Sequence, residues 1–172
     1  MGPHLAMLAH SFQTGQSLNE WALRRLATVG ESPSARRSHA RGGSEPPLVR
    51  FADVQDAVRW FGGTQTPLAY TWVLYDSLGR RVADSAWAFP TSVMAERDAR
   101  VIQEFVDQLD LNFVESHDRA FAWYAQLDGN AALHASTAYE SRDEAIHGAT
   151  VVIGLLPVAT VAAHAVDASV NP

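Results

Sequence analysis

Three segments share one spacing: Phe51-Ala-Asp-Val-Gln-Asp-Ala-Val58, Phe89-Pro-Thr-Ser-Val-Met-Ala-Glu96 and Tyr139-Glu-Ser-Arg-Asp-Glu-Ala-Ile146. Each puts an aromatic residue first, a helix-capping residue third (Asp53, Thr91, Ser141) and alanine seventh (Ala57, Ala95, Ala145). The physical sense is that an aromatic ends a strand, a side-chain oxygen caps the following helix, and a small residue lets that helix approach the sheet. Ser141 and Glu144 also match a capping box. The intervals between copies differ, so the expectation is a degenerate repeat, not a strict array.

Upstream of the last two copies the match continues. Tyr70-Thr-Trp-Val-Leu-Tyr75 and Phe121-Ala-Trp-Tyr-Ala-Gln126 alternate and carry tryptophan third, which predicts half-buried strands. Turns follow at Asp76-Ser-Leu-Gly79 and at Asp128-Gly-Asn130, then second strands over residues 81–89 and 131–139. Four steps separate Ser85 from Phe89 but three separate Ser136 from Tyr139, which predicts a β-bulge in the first copy. The fold class expected is therefore α+β, with degenerate tandem strand-strand-helix repeats and an antiparallel sheet packed on helices.

Around this body the sequence divides into residues 1–29 as an N-terminal helical segment, 30–47 as a flexible linker, 48–110 as a first repeat region and 111–172 as a second full repeat with a C-terminal tail. The helix is expected over Ser17 to Val29, opened by a Ser17/Glu20 capping box. The linker is built from Ser, Gly, Pro and Arg, a composition that cannot repay ordering. The last helix, from Ser141 to Leu156, carries apolar residues on several sides, and Pro157 is expected to stop it. Val151, Val152, Leu155 and Leu156 are the interface candidates it offers, with the N-terminal helix as a rival cover.

Residues 111–157 resemble the YegP-like family of tandem β-β-β-α repeat proteins. The resemblance rests on Asn112-Phe-Val-Glu115, Phe121-Ala-Trp-Tyr124, Gly129-Asn130, Ala135-Ser136, Tyr139-Glu-Ser141, Ala145 and Gly148. Residues 67–109 look like a second, more diverged copy, and residues 48–62 like the back half of a third. The resemblance implies the repeat fold and association through sheets. It brings no reaction or catalytic residue with it.

Composition excludes several chemistries. There is no cysteine, so neither disulfides nor thiolate metal sites can form, and with all thirteen basic residues arginine, lysine catalysis is absent. No HExxH or H-x-H spacing occurs and no Asp/Glu–His pair is expected on one helical face, so no metal and no cofactor is expected. Among the seven histidines, His117 and His134, together with Tyr139, are the weak ligand-site candidates. Residues 1–50 hold six arginines against three acids (+3) and residues 51–172 seven against sixteen (−9). An acidic body does not suit nucleic acid, whose only contact would be Arg36, Arg37 and Arg41. No secretory signal or bilayer-length apolar run is visible, so a cytoplasmic, non-membrane protein is expected. The function expected is a non-enzymatic interaction or assembly module, a homo-oligomer or a binder of another chain. The alternative is a small enzyme or ligand-binding protein with a pocket between sheet and helices.

Overall fold

The computed structural model describes residues 2–11, 25, 68–116 and 119–167. The described strands are β1 (His4–Ser11), β2 (Leu68–Tyr75), β3 (Arg81–Ser85), β4 (Asp110–Glu115), β5 (Phe121–Leu127), β6 (Asn130–Ala135) and β7 (Thr160–Asp167). They form one mixed sheet in the order β4-β5-β6-β3-β2-β1-β7, antiparallel at every pairing except the parallel β1–β7 edge. Two helices, α1 (Ser92–Glu104) and α2 (Arg142–Leu155), pack on it, so the chain is α+β.

Alternation explains which side chains meet the helices. Leu5, Met7, Trp72, Leu74, Ala83, Trp123, Ala125 and Leu133 fall on one face, where they pack with Ala95, Ala99, Ile102, Ala145, Ala149 and Val152 of the helices. Small residues at the helix contact positions allow the close approach that the sequence pattern implies. The opposite face is also buried: Ala6, Leu8, Thr71, Val73 and Ala132 are all at most 7% exposed. The central strands are therefore enclosed on both sides.

The two halves run in parallel in several details. Thr91 accepts from the Met94 N–H at 3.2 Å and Ser141 from the Glu144 N–H at 3.2 Å, so both expected caps operate. Glu144 reaches back as a capping box requires, but to the Glu140 N–H at 3.1 Å. The aromatic residues ahead of each cap close matching bridges, Phe89 to Tyr70 and Tyr139 to Phe121. Each helix ends in a single 3-10 turn, Val106–Gln108 after α1 and Leu156–Val158 after α2, before the next strand starts. Pro157 lies in the second of these turns, where its missing N–H interrupts no α-helical bond.

Both hairpin turns lie where expected. Asp128 (φ 52°) and Gly129 (φ 73°) both take the left-handed conformation, which a two-residue primed turn requires. In the other turn the Asp76 carboxylate accepts from the Leu78 and Arg80 N–H groups, both at 2.9 Å, and from Arg80 Nε at 2.7 Å. Burial alone would push the Asp76 carboxyl up. The Arg80 and Leu78 N–H groups and the Arg80 guanidinium outweigh it and hold the carboxyl below its ordinary value.

Several expectations need correction. Residues 4–11, assigned to a helical segment, are strand β1, and the C-terminal tail contains strand β7, paired with it. The run after α2 is therefore a 3-10 turn and a strand, where only a tail was expected. The second strands are shorter than expected, ending at Ser85 and Ala135. No bulge lies between Ser85 and Phe89. By register Ser85 faces Trp72 as Ala135 faces Trp123, each four residues before its aromatic and each followed by a bend, so the extra residue of the first copy lies in the longer β2–β3 hairpin. Phe89 still reaches the core face and is fully buried. The linker, the copy at 51–58 and the helix over 17–29, apart from Arg25, lie outside the described residues. Arg25 is buried, donates to the Ala86 carbonyl and stands 5.1 Å from the Trp87 ring centroid.

Gly148 and Gly154, the two glycines of α2, differ in their surroundings. A Cβ at Gly148 would come within 2.8 Å of Tyr139 ring carbons, whereas nothing stands within 4 Å of one at Gly154. Gly154→Ala is thus expected to stabilise the fold by up to about 1 kcal/mol through helix propensity alone. Denaturant unfolding checks this, and a loss of stability would show that Gly154 has a contact role.

Candidate functional site

Three places on the described surface and interior hold groups that could support a function. The first is the sheet face turned away from α1 and α2. Asp84 and His134 are cross-strand partners there, both fully buried, and Tyr124 pairs with His134 on its other side. Arg81 Nε donates to Asp84 Oδ1 at 2.7 Å, and His10 Nε2 stands 2.8 Å from Thr71 Oγ1. His134 Nδ1 lies 2.9 Å from the Ala135 carbonyl oxygen, which fixes its ring orientation. Ser136, two residues on, falls on the same face with a buried hydroxyl. Asp, His and Ser thus share a face, but a nucleophilic relay needs aspartate on His Nδ1. Here Nδ1 is turned to a backbone carbonyl and Asp84 is engaged by arginine.

The second place is an open groove of about 440 Å³ lined by Tyr139, Asp143, Glu144, His147 and Gly148. Asp143 and His147 are four apart and share one face of α2, which corrects the expectation that no acid–histidine pair lies on one helical face. Among the described residues no three metal-ligating side chains converge, here or elsewhere. The weak ligand set is not assembled. Tyr139 lies on the α2 side, its hydroxyl accepting from Trp123 Nε1 at 3.3 Å, while His134 lies on the other face. His117 is outside the described residues.

The third place is the outer edge of β4. Phe121 exchanges backbone bonds with Tyr139 at 2.8 and 2.7 Å, so its N–H and C=O point away from β4. Its partner across the β4–β5 ladder is Glu115, whose own N–H and C=O must then face outward. By alternation the same holds for Phe113 and Leu111, while Asp110, Asn112 and Val114 bond to β5. No described strand takes this outer row.

A comparison inside the molecule shows what that omission exposes. Met7 faces Trp72 and Leu5 faces Leu74; in the other half Phe113 faces Trp123 and Leu111 faces Ala125. Leu5 and Leu111 therefore hold equivalent positions on equivalent strands. Leu5 is 0% exposed with β7 beyond it, and Leu111, with no described strand beyond it, is 38% exposed. The sequence reading found β4 as a strand but not its openness.

The interface candidates on α2 divide. Val152 and Leu156 are buried in the intramolecular core, and Leu155 is half-buried against it. Only Val151 among them is exposed. This narrows the candidates: the sheet and the chain's own core already cover the stripe that Val152, Leu155 and Leu156 form. No described helix is long and apolar enough to cross a membrane.

No family model matches the chain, and no curated protein matches it. Two solved structures are similar. One is the solution NMR structure of yegP from E. coli, a protein of unknown function, at 14% identity and a TM-score of 0.43, covering 54% of this chain and 80% of that one. The other is the solution NMR structure of a UPF0339 protein from Shewanella oneidensis, at 12% identity and a TM-score of 0.46, covering 54% and 79%. The first of these neighbours bears the family name to which the residues at 111–157 show their resemblance.

Proposed function

We propose that the chain is a non-enzymatic assembly module whose docking element is the outer edge of β4. The observation that carries this reading is the contrast between Leu5, covered, and Leu111, exposed at the equivalent position. An open row of backbone donors and acceptors is a template for strand addition, and neither proline nor lysine blunts this one. We further infer that the two halves derive from one strand-strand-helix unit, as their shared caps, bridges and 3-10 turns suggest. The enzymatic alternative finds less support. The sheet–helix interface is filled by Trp72, Phe89, Trp123 and Leu133, and the groove beside Tyr139 is open to solvent.

Leu111→Pro tests the reading. Its N–H points outward and serves no bond to β5, so proline there removes an edge donor without breaking the internal ladder. The native protein is expected to sediment as an oligomer at high concentration, and the variant as a folded monomer with unchanged circular dichroism. A native protein that stays monomeric and binds no other chain overturns the proposal, as does a variant that still associates.

A further inference from the structure

We infer that the β3–β6 seam is a two-fold interface inside the chain, and that Asp84 and His134 on its axis make each half accept only the other. This rests on the reading that the two halves derive from one unit, and adds what keeps them paired in the right order. The hairpins show which positions correspond. Val73 faces Asp84 and Leu74 faces Ala83; in the second half Tyr124 faces His134 and Ala125 faces Leu133. Val73 and Tyr124 each follow directly on a tryptophan, Trp72 and Trp123. Ala83, Asp84 and Ser85 therefore correspond to Leu133, His134 and Ala135. The seam itself pairs Ala83 with Ala135, Asp84 with His134 and Ser85 with Leu133. Asp84 thus meets the residue equivalent to itself, and its neighbours cross over on either side. That is the pattern of a self-complementary two-fold contact.

A seam of this symmetry carries a hazard. Backbone that pairs β3 with β6 can pair β3 with β3, or β6 with β6, of another chain in the same register, which is domain swapping. Only side chains tell the two strands apart. Pairing β3 with β3 would set Asp84 opposite Asp84, at a position fully buried here, and like charges directly opposite destabilise a sheet. Pairing β6 with β6 would set His134 opposite His134. Leu133 adds a size criterion, since on the helix-facing side of the seam it is the large residue among Ala83, Ser85 and Ala135. Two β3 strands would leave that side with alanine and serine, and two β6 strands would bring two leucines where one fits; a close-packed core resists both. Charge and size on the seam therefore favour the same pairing, β3 with β6.

Two experiments on the full chain test this. Asp84→His sets histidine opposite histidine, His134→Asp sets aspartate opposite aspartate, and the two together restore the pair in reverse order. Each single variant is expected to lower the urea midpoint, and the double variant to recover most of the loss. A double variant that loses as much as the two single variants combined overturns the proposal. A role confined to the Arg81 contact gives no such rescue, because the residue equivalent to Arg81 in the second half is Ala131. The second experiment reads like pairing directly and does not need those variants to fold. The chain has no cysteine, and in β3–β3 pairing residue 83 of one copy faces residue 85 of the other, within disulfide reach. Ala83→Cys and Ser85→Cys proteins are mixed, refolded together under oxidation at high concentration and run on a non-reducing gel. With Asp84 in place no covalent dimer is expected; with Arg81→Met and Asp84→Leu added to both, dimers are expected. Dimers in both backgrounds leave the common unit standing and overturn the Asp84–His134 pair as its discriminator. Dimers in neither overturn the proposal together with the common unit. Ala83 and Ser85 are fully buried away from the β4 edge, so these outcomes are independent of association there.

Discussion

Gly148→Asp alone is expected to destabilise the fold by about 2–3 kcal/mol, and adding Tyr139→Phe is expected to recover most of that loss. The reason lies in two solutions to one problem. Each half buries a tryptophan under its helix, and each indole N–H needs an acceptor there. In the first half Trp72 Nε1 donates to Asp98 Oδ2 of α1 at 2.8 Å, with Phe89 beside it. In the second, Trp123 Nε1 donates to the Tyr139 hydroxyl, and the position equivalent to Asp98 is Gly148. The hydroxyl needs that space, since a side chain at 148 would overlap the tyrosine ring, with Cζ only 2.6 Å from its Cβ. Phenylalanine with aspartate and tyrosine with glycine are thus alternative pairs. Tyr139→Phe by itself leaves the Trp123 N–H without its acceptor and is expected to cost about 1–3 kcal/mol. A double-mutant cycle by urea unfolding measures the coupling. Strictly additive losses would mean the two sites are independent and the pairing is accidental.

That exchange also shows what could be read from the chain alone. Thr91, Ser141, the Asp-Gly turn and the aromatic–cap–alanine spacing act over a few residues, and local chemistry decides them. Asp98 was legible in principle as a carboxylate three residues after Ala95, inside the apolar stripe of α1. Its partner Trp72 was not, because it is 26 residues away and nothing local points to it. β1 and β7 were missed for another reason. His4–Ser11 is buried on both faces and Thr160–Asp167 is dominated by alanine and valine, so neither shows the period-two alternation of a half-exposed strand. That no described strand lies beyond β4 is likewise a matter of sheet order. The last strand pairs with the first, at the far edge from β4, a long-range choice that no window of sequence contains. The α2 surface was overvalued because periodicity counts apolar residues without knowing how much of the helix the sheet covers. Val152 and Leu156 lie on the buried stripe, and Val151 turns out beside it.

The second large effect is expected at the face away from the helices, where Arg81→Met should lower stability by about 3 kcal/mol. Asp84 is fully buried, and the Arg81 guanidinium donates to it at 2.7 Å. Removing the arginine leaves a carboxylate in the interior without this charge partner, and a buried charge is far costlier than a missing contact. The low end of the usual range is chosen because the Arg81 side chain is 30% exposed and water already shares part of its charge. Asp84→Leu added to Arg81→Met removes both charges and is expected to return much of the lost stability, as apolar replacement of buried pairs commonly does. Thermal or urea unfolding of the single and double variants separates the possibilities. If the double variant is as unstable as Arg81→Met, the loss comes from arginine packing and the ion pair is incidental. If it recovers, the charges on this face are not required for the fold. Their retention beside His134, the cross-strand partner of Asp84, would then call for a cause other than stability.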